Sequence, residues 1–405
     1  MKILMVNKFL YPNGGSETYV FKIGEQLIEM GHQVQYFGME HPDRIVSNHV
    51  GSYTSNMDFH TGKLNKLMYP FKIIYSTEAR KKIKLVLEDF KPDVVHLNNF
   101  NFQITPSVIY EIRKFERKNK SSISIIFTAH DYQWVCPNHM FQVPSTGELC
   151  TRCLVGKYGN CIKYKCVHSS RVKSILGALE AFVYKRLKTY GKIDKIICPS
   201  EFMNQMLSKD ELLRERTVTM HNFIDERENN REKTVFKEDY VLYFGRYAEQ
   251  KGIKTLLEVC KRLPEIPFVF AGSGALEKEI NKVNNIENRG FLTGKELHDM
   301  ISKARFVVFP SEWYENCPFS VMEAQMYGTP VIGTDIGGTP ELISEGKTGL
   351  LFSCKNEDEL CLKINQLWQD KELCADMSAQ CSGINFDTTQ EYCRKLLEIY
   401  SEAGK

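Results

Sequence analysis

Arg246 and Lys251 follow the apolar run YVLYFG directly, in the stretch GRYAEQKG. Two cations just beyond a strand can hold a diphosphate, arginine through its planar fork and lysine as a point charge. On this stretch alone a solvated basic turn explains them as well. Glu315 and Glu323 stand in SEWYENCPFSVMEAQMYG, where Pro318 to Ser320 reads as the start of a helix. Glu315 then lies in the loop and Glu323 in the early helical turns. Loop amides and the helix dipole would face a phosphate or a polar sugar, and each carboxylate would accept two hydroxyl hydrogen bonds. The alternative is two acids that complement the dipole. Near the N-terminus, KILMVN runs into Pro12-Asn13-Gly14-Gly15-Ser16-Glu17 and then a helical pattern. Two glycines let backbone approach a ligand, and a helix start favours an anion; a plain turn is the competing reading. The absence of G-x-G-x-x-G spacing counts against a nicotinamide-dependent dehydrogenase. His130 closes the run SIIFTAH, and a lone histidine there is more often structural.

A second constellation is richer in potential ligands. Five cysteines fall within the thirty-one positions from Cys136 to Cys166. Cys150-x2-Cys153 followed by Cys161-x4-Cys166 can wrap a tetrahedral zinc, with Cys136 or His168 as alternatives for the fourth ligand. Unligated or redox-active thiols and an iron–sulfur cluster are the other readings. Disulfides are not expected in a compartment that keeps thiols reduced.

The elements that must position these residues are short apolar runs alternating with helical patterns. KILMVN, SETYVFKIGEQLIEMG and HQVQYFGM read as strand, helix and strand, and the theme returns in DVVHLNN, ISIIFTAHD and KIIC. Such alternation implies parallel sheets covered on both faces. A second series runs YVLYFGR, PFVFAGS, ARFVVFPS and TPVIGTD, with Thr339 expected to cap a helix that starts at Pro340. The polar stretch TVTMHNFIDERENNREKT between the series is the expected linker. At 405 residues the chain exceeds one ordinary core, so two α/β domains are expected, with ligands beyond the carboxyl ends of the strands and in the cleft between the domains.

Charge divides unevenly. Residues 1–222 carry 31 Lys/Arg against 20 Asp/Glu, whereas residues 223–405 carry 22 against 30. The basic half suits an anionic acceptor or an anionic lipid surface, with a solvated face as the alternative. Nucleic acid is not expected, since no recognition motif accompanies the charge. No signal-peptide core and no run of 18 apolar residues is found, so the protein is expected in the cytoplasm.

Taken in order, GGSE after the first strand, Arg246 and Lys251, the paired glutamates, and the following GTPVIGTD, GGTPELI and GKTGLLF resemble the retaining glycosyltransferase family 4, of GT-B fold. The likeness is strong over 240–352, clear at 1–38 and 123–135, and weak elsewhere. It implies two Rossmann-like domains facing across a cleft. Residues 1–222, with the insertion 136–168, would bind the acceptor; 223–385 would hold a nucleotide-diphosphate-sugar, UDP- or GDP-linked; and 386–405 would be a helix packing back on the first domain. By position, Arg246 and Lys251 would hold the diphosphate, Glu323 the ribose, and Glu315 the donor sugar together with the backbone of Asn316, Cys317, Pro318, Phe319 and Ser320. Phe291 would flank the base, Gly14 and Gly15 would lie against the phosphate, and His130 would stand beside the sugar. The resemblance further implies transfer with retention and without a metal. The acceptor would be a glycan or lipid-linked glycan of a surface polysaccharide such as capsule or O-antigen, and the enzyme would be peripheral at the inner face of the plasma membrane. A sugar-nucleotide epimerase on the same fold and a non-catalytic nucleotide-sugar-binding protein remain as alternatives.

Overall fold

A computed structural model describes residues 1–56, 74–225 and 236–404, so positions 226–234 of the expected linker lie outside the described residues, and its first residues, Thr217–Thr219, are not linker but a strand of the first sheet. The chain forms two compact units, Met1–His221 with Thr389–Lys405, and Asn222–Thr388.

The first unit is built on six parallel strands: β1 (Lys2–Val6), β2 (Gln33–Phe37), β3 (Val94–Leu97), β4 (Ser124–Thr128), β7 (Lys195–Cys198) and β8 (Thr217–Thr219). A small antiparallel hairpin, β5 (Gln142–Val143) with β6 (Glu148–Leu149), lies in the cysteine-rich segment. The sheet order is β2-β1-β3-β4-β7-β8. Ile3 to Val6 and Ile125 to Phe127 are almost wholly inaccessible. That is why these strands read as continuous apolar runs without alternation: both faces are covered. The covering helices are α1 (Gly15–Glu29), α2 (Thr77–Phe90), α3 (Ser107–Asn119), α4 (Arg171–Arg186) and the last helix, Thr389–Ala403. The last helix packs on α1 and β4, burying Tyr392, Cys393, Leu396 and Tyr400.

The second unit repeats the theme with β9 (Val241–Arg246), β10 (Phe268–Ser273), β11 (Ile286–Gly290), β12 (Phe306–Phe309), β13 (Val331–Thr334) and β14 (Gly349–Phe352), all parallel, in the order β11-β10-β9-β12-β13-β14. Alternate side chains of one strand enter different cores. Val241, Tyr243, Phe268 and Phe306 join one cluster, and Leu242, Phe244, Val269 and Val307 join the other, as the two-residue period of a strand requires. Helices α5 (Ile253–Arg262) and α6 (Phe319–Met326) follow β9 and β12. Thr339 does not cap a helix as expected: Thr339–Glu341 is one 3-10 turn with Gly338 in front of it. The Thr339 hydroxyl has no hydrogen-bond partner among the described residues. No helix among the described residues is long and apolar enough to cross a membrane.

Candidate functional site

In a parallel sheet with crossovers on both faces, the loops diverge where the strand order reverses, leaving a crevice at the carboxyl ends. In the second unit that point lies between β9 and β12, and the loops leaving these strands carry the expected residues. Arg246 ends β9, and its exposed side chain borders a cavity of about 220 Å3 whose lining also includes Ser273, Phe291 and Leu292. Lys251 stands one turn further on, and its Nζ is 2.5 Å from Glu315 Oε1. Ser311 donates to the same carboxylate oxygen at 2.7 Å, and the Lys251 ammonium lies 5.1 Å from the centre of the Trp313 ring. Sequence reasoning named neither Ser311 nor Trp313. Their signal was only that they flank Glu315 in the same loop.

Two glycines hold these loops together. Gly252 has φ +72°, and a β-carbon there would stand 1.8 Å from the Pro310 carbonyl oxygen. Gly337, φ +63°, lies against the Glu315 backbone, where a β-carbon would come within 2.6 Å of the carbonyl oxygen; the Gly338 amide donates to that same oxygen at 2.7 Å. The turn after β9 is further tied to the loop after β12 by the Glu312 amide, which donates to the Gln250 carbonyl at 2.9 Å. Beneath, the Tyr243 hydroxyl donates to the Arg246 carbonyl at 2.9 Å. Pro318 precedes α6, so Asn316 to Pro318 are loop, Phe319 and Ser320 open the helix, and Glu323 lies in its second turn, half-buried. Cys317 is buried: its sulfur accepts from the Asn222 amide at 3.2 Å and its carbonyl from the Asn222 side chain at 2.7 Å. It therefore anchors the loop from within.

The first unit places its expected residues at the corresponding end of its own sheet. The order reverses between β1 and β3. Gly14 and Gly15 lie exposed at the start of α1, with Gly14 at the cap position. A buried network supports this turn. Asn7 donates to Glu17 at 3.0 Å, Ser16 donates to Glu17 at 3.0 Å, and Asn99, beyond β3, donates to Ser16 at 2.9 Å. Glu17 is 2% exposed, so its carboxylate is a fixed acceptor below the glycines.

His130 follows β4, with Nε2 2.9 Å from Asn98 Oδ1 and its ring edge-on to Tyr19 at 5.0 Å. Burial pushes its pKa down to about 4, against a smaller raising effect of Asp131. The ring is neutral at physiological pH, and with an acceptor facing Nε2 the proton belongs on that nitrogen. Under it lies a chain that sequence reasoning missed. Tyr19 and His96 both reach Thr128 Oγ1, at 2.9 and 2.8 Å, Tyr392 reaches the Tyr19 hydroxyl at 2.9 Å, and Tyr400 reaches His96 Nδ1 at 2.6 Å. Asp131, next to His130, is held below the usual carboxylate range: burial would raise it, but His139, 3.4 Å away, and the Gln133 amide outweigh that effect. The expected residues thus form two groups, one in each unit.

The cysteines form a third group. Cys136, Cys150, Cys153, Cys161 and Cys166 line one cavity of about 10 Å3, and all thirteen cysteines are free thiols. Among the described residues, however, no three or more His, Cys, Asp or Glu side chains stand so as to hold a metal ion. The expected zinc on Cys150, Cys153, Cys161 and Cys166, with Cys136 in reserve, is therefore corrected to a packed thiol cluster. The reason lies in their partners. Cys136 donates to Asn138 Oδ1 at 2.8 Å, Cys161 and Cys166 hydrogen-bond to each other, and Cys150 accepts from Arg152 at 3.5 Å. Burial pushes the Cys136 and Cys153 thiols up to about 12. His168, the other reserve ligand, is exposed and does not border the cavity.

Two parallel sheets of this kind, each with loops diverging where its strand order reverses, are the architecture of the GT-B glycosyltransferases, and this protein is a glycosyltransferase. The chain belongs to Glycosyltransferase Family 4: that family's pattern matches residues 13–228, and the pattern described as Glycosyl transferases group 1 matches residues 226–381. An uncharacterized 42.6 kDa protein in the cps region of Klebsiella pneumoniae is 26% identical over 84% of this chain and 87% of its own length. The uncharacterized glycosyltransferase MJ1178 of Methanocaldococcus jannaschii is 31% identical over 44% of this chain and 51% of its own length. Among solved structures, HepE of Anabaena in complex with UDP superimposes with a TM-score of 0.68 at 16% identity, covering 99% of this chain and all of its own.

Proposed function

We propose that this glycosyltransferase moves a sugar, with retention, from a UDP-sugar to a hydroxyl of a lipid-linked glycan during assembly of a surface polysaccharide. The observation that carries the donor half is the Lys251–Glu315 pair with Ser311, set where the strand order reverses, in the loops that follow β9 and β12, with Arg246 of β9 lining a cavity that Phe291 also borders. Arg246 and Lys251 would take the diphosphate, Glu323 the ribose hydroxyls, and Phe291 would flank the base. Glu315 would hydrogen-bond the donor sugar together with the backbone from Asn316 to Ser320. UDP in the similar HepE structure supports uridine over guanosine. The cps-region relative supports a polysaccharide product.

Two cations beside the leaving diphosphate stabilise the charge that grows there as the glycosidic bond breaks. On the same face, a diphosphate oxygen takes the proton of the incoming hydroxyl, so no second carboxylate across the anomeric carbon is needed. Gly14 and Gly15 would let the acceptor come close to the phosphates. Neutral His130, held by Asn98, would stand beside the sugar without acting as an acid at pH 7.

A thermal-shift panel of UDP- and GDP-sugars tests the donor. The matching donor, at a hundred to a thousand times its Kd, is expected to stabilise the protein by about 3–4 kcal/mol, and a response to GDP-sugars alone would overturn the uridine assignment. Lys251→Ala is expected to abolish that shift and lower kcat/KM about 100- to 1,000-fold; near-normal transfer would remove Lys251 from the diphosphate site.

A further inference from the structure

Helix α4 is apolar on two opposite sides. Ser174, Gly177, Ala178, Ala181 and Tyr184 face the protein. The opposite stripe carries Val172, Ile175, Leu179 and Phe182, continued by Leu187, with exposures between 43% and 68%. These five are more than a third of the exposed large hydrophobic residues of the described chain. At 100° per residue, positions 172, 175, 179 and 182 fall within one 80° sector. A helix with a second apolar face left in water marks an interaction site.

The charge around the stripe selects the partner. From residue 157 to residue 192 the only acidic residue is Glu180, and it is buried on the inner side of α4. Over the same span Lys157, Lys163, Lys165, Arg171, Lys173, Arg186 and Lys188 are exposed. A second copy of this face would set these cations against one another, and protein interfaces are depleted in lysine. An anionic bilayer satisfies both features, with the apolar stripe entering the acyl boundary and the cations meeting the headgroups.

We propose that α4 is a membrane-docking element that seats the first unit on an anionic lipid surface, its Val172–Phe182 stripe inserted and the surrounding cations on the headgroups. This deepens the lipid-linked acceptor reading and rests on it only for its purpose, since the surface itself is read from exposure and charge. Burial pushes the Glu180 carboxyl up to about 8, which keeps the helix free of negative charge at neutral pH.

The test is co-sedimentation of the full chain with vesicles of neutral phosphatidylcholine and with vesicles containing about 30% phosphatidylglycerol, at low and high salt. Wild type is expected to sediment with the anionic vesicles at least tenfold more than with the neutral ones, and high salt is expected to weaken but not abolish binding. Leu179→Glu with Phe182→Glu, both on the exposed face, is expected to lower binding at least tenfold while leaving the Tm and the UDP-sugar shift unchanged. Wild type that stays in solution with anionic vesicles, or a double variant that binds as well as wild type, would overturn the proposal. A wild-type dimer that the double variant reduces to a monomer, with vesicle binding unaltered, would assign the stripe to self-association. The donor shift is read in the same samples, so failure here is separable from failure of the transferase reading.

Discussion

Glu180 and two histidines of the first unit, His96 and His130, respond to pH in opposite senses. For Glu180 the folded pKa is raised by burial from 4.5 to about 8, and its Oε1 has no hydrogen-bond partner among the described residues. Its contribution to stability is therefore complete below pH 4.5 and is lost as pH rises towards 8, because the unfolded chain ionises first. Glu180→Gln removes the difference: its Tm is expected to match wild type at pH 4.5 and to exceed it at pH 8 by the equivalent of about 1–3 kcal/mol. Equal pH dependence in the two proteins would contradict the buried neutral acid. His130 and His96 are lowered by burial from 6.5 to about 4 and about 3. Their contribution is complete above pH 6.5 and is lost as pH falls through those values. Tyr400→Phe, which takes the hydroxyl from His96 Nδ1, is expected to cost about 1–2 kcal/mol of the stability measured at pH 7 by denaturant unfolding.

At the scale of elements, the continuous apolar strands were legible, whereas β8, inside the expected linker, β11 and the strand partners were not. KILMV, SIIFT and FVVF announce themselves because strands buried on both faces need uninterrupted apolar side chains. The start of α6 was legible from Pro318 and that of α1 from the double glycine, since both are local backbone constraints. The Lys251–Glu315 contact joins residues 64 apart, and no local pattern encodes that distance. The Tyr400–His96 contact joins residues 304 apart. The cysteine spacing suggested a metal because spacing carries no information about which thiols already have protein partners. The Gly252 turn is where local and distant requirements meet. Gly252→Ala is expected to lower stability by about 2–4 kcal/mol, through its left-handed φ and the contact with Pro310, and to loosen the loop of Glu315. A Gly252→Ala protein with unchanged Tm and donor shift would show that the turn does not position that loop.

For the molecule as a whole, the charge division seen in the sequence follows the two units, and much of the excess of cations surrounds one helix face of the first. The same unit includes the last helix of the chain, which supplies Tyr392 and Tyr400 to the network beneath His130. Deleting residues 389–405 removes several fully buried side chains at once, at about 2–5 kcal/mol each, against a domain stability of about 5–15 kcal/mol. The truncated protein is expected to lose protease resistance in the first unit, while the second unit, whose cores draw on residues 224–386, keeps its resistance. Unchanged digestion of both units would contradict this dependence.

That helix also sets an order of events at the ribosome. The second unit is encoded inside the first, so the unit begun before it is completed after it. Until residues 389–405 emerge, the face of α1 and β4 that will receive Tyr392, Leu396 and Tyr400 stays uncovered, while the second unit already has all of its sequence and can fold as a unit. A premature stop before residue 389 would therefore damage the domain encoded upstream of the second unit.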